Sequence, residues 1–352
     1  MELDTRSTHG SFKTRQPSRA RRRALACGAL ALGALASAQE SAPAPAAACS
    51  FSAEDRAWVE RALEAWRLTT REITGIGFVP DFQAILFDAK CVMTSRDALT
   101  SPTAEGVTWS AAPHDGTVIA PNGKELPVGI TSFCSGEGGV TFFVMSTPSV
   151  WSAGGAGSGA QLSQTMVAVL LHEASHVAQI GPYGKLLGKL IDENSLPDSF
   201  NDDAVQERFG KDREFAASID KETTLFLKAA AEKDDVEAKL LVLEARDMMR
   251  ERQKRWMVGK DAYLVDAEDL WLTFEGSGQW VGYQWQIHPK GGGRPPAEVL
   301  PLFTRRSGDW VQVEGFAIVL ALDRIVGPDW KKHAFGDGAE TVLQMMDAAL
   351  AE

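Results

Sequence analysis

Eighteen consecutive residues, Ser163 to Ile180, contain neither Pro nor Gly and are apolar or small at most positions. A run of that length and character reads as a buried helix. Its polar interruptions are spaced in a telling way, in the stretch Leu170-Leu171-His172-Glu173-Ala174-Ser175-His176-Val177. Residues four apart on a helix lie one turn above each other on the same face. His172 and His176 can therefore offer two imidazoles to one metal ion, and Glu173, one step round, can reach a water on that ion. Only six His occur in the chain, and two of them stand here at this spacing. The plain alternative is a pair of core histidines satisfied by hydrogen bonds; the motif within a helical window favours the metal, and with it metal-assisted hydrolysis.

The segment resembles the active-site helix of the HExxH zinc metallopeptidases, the zincins. Its extension His176-Val177-Ala178-Gln179 is similar to a variant seen in several bacterial branches of that superfamily. The likeness is carried by this segment and is weak over the rest of the chain. It implies one zinc ion held by His172 and His176, a zinc-activated water with Glu173 as its general base, and a peptide or protein substrate. It also implies an α+β, zincin-like fold, in which a small mixed or antiparallel sheet and the active-site helix precede a mostly helical C-terminal lobe.

Hydrolytic zinc usually takes three protein ligands and keeps one open position. No third His follows at the short spacing of the metzincins, since position 179 is Gln and 182 is Pro. A downstream carboxylate is expected, as in the Glu-ligated zincins, and three compete. Glu275 ranks first. It lies in Trp271-Leu272-Thr273-Phe274-Glu275-Gly276-Ser277-Gly278-Gln279-Trp280, where two glycines, each costing a helix about 1 kcal/mol against Ala, suggest that another backbone comes close. Glu-Gly followed by small residues also resembles the third-ligand segment of several bacterial zincin families, although those usually have Ala where this chain has Gly278. Glu222 ranks second, as a ligand or as an acceptor for an imidazole N–H. Glu314 repeats the Glu-Gly pattern but is followed by Phe316-Ala317-Ile318-Val319-Leu320, which reads as core. For an oxyanion donor, Tyr283, two turns beyond Glu275, is preferred over His288 and His333; core packing is the competing reading for each.

The chain has 352 residues, 44% of them hydrophobic, enough for one large domain or two closely packed lobes. Residues 1–38 read as an export signal: Arg19 and Arg21 to Arg23, an apolar run from Ala24 to Ala36, and Ala36-Ser37-Ala38 as a cleavage site. The expected layout is a signal peptide at 1–38, an Ala/Pro-rich linker at 39–50, an α+β lobe at 51–180 ending in the HExxH helix, and a helical lobe at 181–352. The expected location is periplasmic or extracellular, with no stable membrane insertion after cleavage. Removing 1–38 leaves 29 Lys+Arg against 45 Asp+Glu. A body that acidic repels nucleic acid and anionic membrane surfaces. Cys49, Cys91 and Cys134 remain, enough for one disulfide, with Cys91–Cys134 the first choice because both flank expected strands.

Ser52 to Thr70 reads as an amphipathic helix capped by Ser52. Strands are expected at 84–87, 91–93, 118–119, 128–130 and 140–145, the last a candidate edge strand for an extended substrate. Helices are expected at 202–209, 211–232, 234–256, 261–286, 310–326 and 338–351. Two readings of function follow: an exported zinc peptidase, or a catalytically silent zincin-fold binding or envelope structural protein.

Overall fold

Strand β7 (Phe142–Ser146) is buried at all five positions and organises the N-terminal half of the molecule. In the computed structural model, which describes residues 49–351 except 77, 78, 80, 101–105, 137–140, 198, 199, 306–308 and 337–339, it sits inside a five-stranded sheet. The others are β1 (Gln83–Phe87), β2 (Cys91–Ser95), β3 (Ser110–Pro113) and β6 (Ser132–Ser135), in the order β3-β2-β1-β7-β6. The β1–β7 pair is parallel, with Ile85 opposite Val144, and the remaining pairs are antiparallel. Alternation divides the side chains between two layers. Ala84, Leu86, Phe143 and Met145 face the main helical core. Ile85, Phe87, Phe142 and Val144 pack under the hairpin of β4 (Thr117–Ile119) and β5 (Glu125–Pro127). The sheet is thus mixed and small. The expected export signal and nearly all of the expected linker lie outside the described residues.

Three expectations are corrected here. Strand β7 is not an edge: a segment covered on two faces and paired on two sides gives the strongest apolar signal, whereas the edge strand β6 is short and partly polar. No strand lies at 128–130: β5 ends at Pro127, because the turn after Ala120 is tight (Gly123 N donates to Ala120 O at 2.8 Å) and pairs Ile119 directly with Glu125. The disulfide joins Cys49 to Cys91, with Cα atoms 5.7 Å apart, and leaves Cys134 as a buried thiol. Cys91 on β2 and Cys134 on β6 are separated by two intervening strands, a span of about 14 Å at the ordinary strand spacing, beyond the reach of a disulfide.

Helix α1 (Ala53–Leu68) starts where Ser52 Oγ accepts the Asp55 amide at 3.0 Å, a cap worth about 1 kcal/mol. Short helix α2 (Pro148–Ala153) follows β7. The HExxH segment lies in α3 (Gly159–Asn194), which runs past Pro182 although the apolar window ends at Ile180. Pro182 removes one backbone donor. Burial of Tyr183, Leu187 and Leu190 in a second apolar cluster, about 1.5–3 kcal/mol per side chain, outweighs that loss. The helix spans the expected lobe boundary at 180/181 without a break.

The remainder is helical: α4 (Ala204–Phe209), α5 (Arg213–Ala231), α6 (Asp235–Trp256), α7 (Leu264–Ile287), α8 (Pro296–Phe303), α9 (Trp310–Val326), α10 (Trp330–Ala334) and α11 (Val342–Ala351). Helices α8 and α10 are short and carry too little periodicity to be seen in the sequence. Helix α7 is buried at most positions and lies between α3 and α9. Its glycines explain how three helices come so close. A Cβ on Gly276 would sit 2.3 Å from Gly315 O, and one on Gly315 would sit 2.7 Å from Leu272 O. The two Glu-Gly pairs, 275–276 and 314–315, therefore meet at one backbone crossing. On the α3 side, a Cβ on Gly282 would be 3.3 Å from Ala168 O, and one on Gly278 would be 2.7 Å from His172 Nδ1. Among the described residues no helix is long and apolar enough to cross a membrane.

Candidate metal centre

His172 and His176 project from one face of α3, and Glu275 reaches them from α7. All three are buried, and their donor atoms lie within 4.8 Å of one another; this is the one such His/Cys/Asp/Glu group among the described residues. Nε2 of His172 and Nε2 of His176 are 2.9 Å apart. Glu275 Oε2 is 3.2 Å from the first and Oε1 is 3.4 Å from the second. An ion held tetrahedrally by bonds of about 2.0–2.1 Å would separate its donors by about 3.3–3.4 Å. The two Glu275 spacings match that geometry and the imidazole pair is about 0.4 Å closer, so the three donors surround one position that a single divalent cation could take. Two further observations agree. Facing imidazole lone pairs need a proton or a metal between them. Glu275 Oε2 is buried with His172 Nε2, 3.2 Å away, as its charged neighbour, and a cation between them would offset the cost of burying the carboxylate.

Electrostatics in the metal-free site are those of three groups sharing too few protons. Burial pushes the Glu275 carboxyl up, but the charge of His172 and the close N–H contacts of both imidazoles outweigh it and hold the group well below the usual carboxylate range. Burial pushes His176 down, and the Glu275 carboxylate more than reverses this, leaving it above its ordinary value. The His176 ring also packs edge-on against His172 and Phe274.

Glu173 lies beside the donors rather than among them. Its Oε1 accepts a 3.0 Å hydrogen bond from Ser132 Oγ on the edge strand β6. Cys134, two residues along the same strand, feels the Glu173 and Glu275 carboxylates; burial first, and then these charges, push its thiol well up. Strand β6 thus runs along the flank of α3. Its other side pairs with β7, and no strand among the described residues covers its outer side.

The competing carboxylates are engaged elsewhere, which corrects their candidacy. Glu222 and Glu314 surround the buried Arg252 of α6 together with Glu268. Arg252 NH2 lies 2.8 Å from Glu222 Oε2 and 3.7 Å from Glu314 Oε1, and NH1 lies 2.7 Å from Glu268 Oε1. Glu222 also accepts from Ser218 Oγ. Burial pushes the Glu314 carboxyl well up, as expected where three acids share one guanidinium. Nothing in the spacing of α5, α6 and α9 announces this pairing, because Arg252 reads as one more charge in a polar helix.

Tyr283 lies on α7, two turns beyond Glu275. Its ring packs edge-on against Phe303 and Phe316, and burial raises its phenol. His288 faces Glu72, and His333 pairs with Glu340 at 3.0 Å. Ser132 was not foreseen. Its strand lacks an apolar run, and only its hydrogen bond to Glu173 gives it away. Gly278 was noted for closeness of approach, and the neighbour proves to be the His172 ring itself.

The His172-Glu173-x-x-His176 motif with distal Glu275 forms a buried metal-ligand cluster that matches the arrangement of the Glu-ligated HExxH zincins. Comparison of the whole chain with protein-family models, curated proteins and solved structures gives no match. The likeness therefore rests on the geometry of this centre and on the architecture that carries it.

Proposed function

We propose that the protein is an exported zinc metallopeptidase. The observation that carries this reading is the convergence of His172, His176 and Glu275 with a fourth group, Glu173, left beside them and unused as a donor. A site that only stored metal would have no need of that carboxylate. Zinc, when bound, supplies Lewis acidity that makes a water acidic near neutral pH and polarises a carbonyl.

The protein's own groups do the rest. Ser132 holds Glu173 Oε1, which leaves Oε2 to take the proton of the attacking water and then pass it to the leaving amine. The outer side of β6 offers main-chain donors and acceptors to an extended peptide, beside the helix that holds the base. We assign the oxyanion donor to Tyr283, which shares α7 with Glu275. The Cys49–Cys91 disulfide supports folding in an oxidising compartment, as export requires.

Metal analysis and a mixed peptide library test the proposal together. Wild type should hold one zinc per chain and cleave. Glu173→Gln should hold the same zinc and lose about 10²–10⁴-fold in rate. Tyr283→Phe should lose rate without losing zinc. Metal-free wild type defeats the reading, and stoichiometric zinc without cleavage by wild type moves the protein to the silent zincin-fold class.

A further inference from the structure

Resting on the metal-centre reading above, we propose that Gln179 is a positioning residue that fixes the tautomer of His176, so that Nε2 of that ring keeps its lone pair for the metal. Gln179 is fully buried, one turn beyond His176 on α3. Its side chain makes three contacts. Nε2 lies 3.1 Å from the carbonyl of Ala334 in α10 and 2.8 Å from Ser277 Oγ in α7, and Oε1 lies 3.2 Å from His176 Nδ1.

The direction of each bond follows from what the partners can do. The Ala334 carbonyl only accepts, so the amide nitrogen must face it. Ser277 Oγ gives its hydrogen to the Thr273 carbonyl at 2.7 Å and so accepts from Gln179. Both partners demand the amide N–H₂ group at that end. Oε1 is then the atom facing His176 and can only accept, so Nδ1 of the imidazole carries the hydrogen. Nε2 is left unprotonated in the neutral ring, aimed at His172 Nε2 and Glu275 Oε1.

Charge explains why an amide suits this place. Metal-bound histidines often donate to a carboxylate. Here a divalent ion with Glu275 and Glu173 already sums to zero. A third carboxylate in this buried space would leave the loaded site negative, whereas Gln179 orients the ring at no net charge.

The direct test uses full-length protein with ¹⁵N-labelled histidine, loaded with ¹¹³Cd. His176 should show metal coupling at Nε2 and a slowly exchanging Nδ1–H. Coupling at Nδ1 would overturn the inference without any substitution. Zinc affinity by chelator competition gives a second readout. Gln179→Met should bind about 10–100-fold more weakly. Gln179→Glu keeps an acceptor for Nδ1 but loses both N–H bonds to Ala334 and Ser277 and adds a negative charge, so it should bind more tightly than Gln179→Met yet remain clearly weaker than wild type. Ser277→Ala, a milder change that removes one anchor of the amide, should show a smaller loss in the same direction. Gln179→Met that folds and binds zinc as tightly as wild type overturns this inference alone. Wild type that takes up neither zinc nor cadmium overturns the metal centre itself.

Discussion

Gly278→Ala isolates the fit between α7 and the metal ligands. A Cβ there would lie 2.7 Å from His172 Nδ1, 2.8 Å from Cε1 and 2.9 Å from Cγ, where ordinary contact begins at 3.4 Å. The shortfall is as much as 0.7 Å by that difference. Three ring atoms crowd the same methyl, so rotating the imidazole cannot clear it; the ring must translate, or α7 must retreat. Retreat is blocked on the far side, where Gly276 already touches the Gly315 backbone. Metal–ligand distances tolerate only about 0.2 Å, so His172 leaves bonding position. Zinc affinity should fall about 10–100-fold, the range typical of disturbed ligand orientation. Stability without metal should fall by no more than about 2 kcal/mol: Ala gains about 1 kcal/mol of helix propensity over Gly, against an overpacking cost of about 1–3 kcal/mol. Chelator competition and thermal melting of the metal-free protein measure the two effects separately. Gly282→Ala is the control, since its Cβ would be 3.3 Å from Ala168 O on the same helix face and far from either imidazole. Zinc affinity unchanged in Gly278→Ala, or lost equally in both variants, would refute the reasoning.

Two further predictions concern the helical half. Arg252→Met should destabilise by about 3–5 kcal/mol at neutral pH, because Glu222, Glu268 and Glu314 lose their shared cation; the deficit should shrink on acidification as these acids are neutralised, and a pH-independent loss in denaturant titrations would count against it. Glu222→Gln, by contrast, should keep its zinc. Asp269 has its Oδ1 shielded and unpartnered, and burial raises its carboxyl to about 6 despite a hydrogen bond from Thr341. Its folded-state pKa is above the unfolded value of about 3.9, so the folded state binds the extra proton and stability falls as pH rises from about 4 to about 6, by about 2–3 kcal/mol in all. Asp269→Asn removes that penalty: the variant should melt higher than wild type at pH 8 and lose the advantage near pH 4, and equal shifts at both pH values would sink the argument.

The centre was legible because its chemistry is local. His172, Glu173 and His176 are fixed by one helical turn, and Glu275 betrayed itself through two glycines that a free helix would not carry. Periodicity also gave most of the long helices. What escaped detection depends on partners far apart in the chain. Ser132 matters only because β6 lies along α3, and no pattern within residues 132–135 encodes that. Strand β7 reads as the substrate edge only through the likeness to zincins, and its full burial is the mark of an interior strand. Glu222 and Arg252 share a buried salt bridge, and each alone resembles a solvated charge. The Cys49–Cys91 link was misassigned for the same reason, since strand order decides which thiols can meet.

Two metal donors come from residues 172 and 176, and the third arrives only with residue 275, on a helix that must first wedge between two others. A growing or partly refolded chain therefore possesses no complete coordination set until its C-terminal half has docked. The ion cannot seed folding here, as it does in small zinc modules whose ligands are near neighbours. A full set of donors exists only in the finished shell, so treatment with a chelator should leave that shell standing.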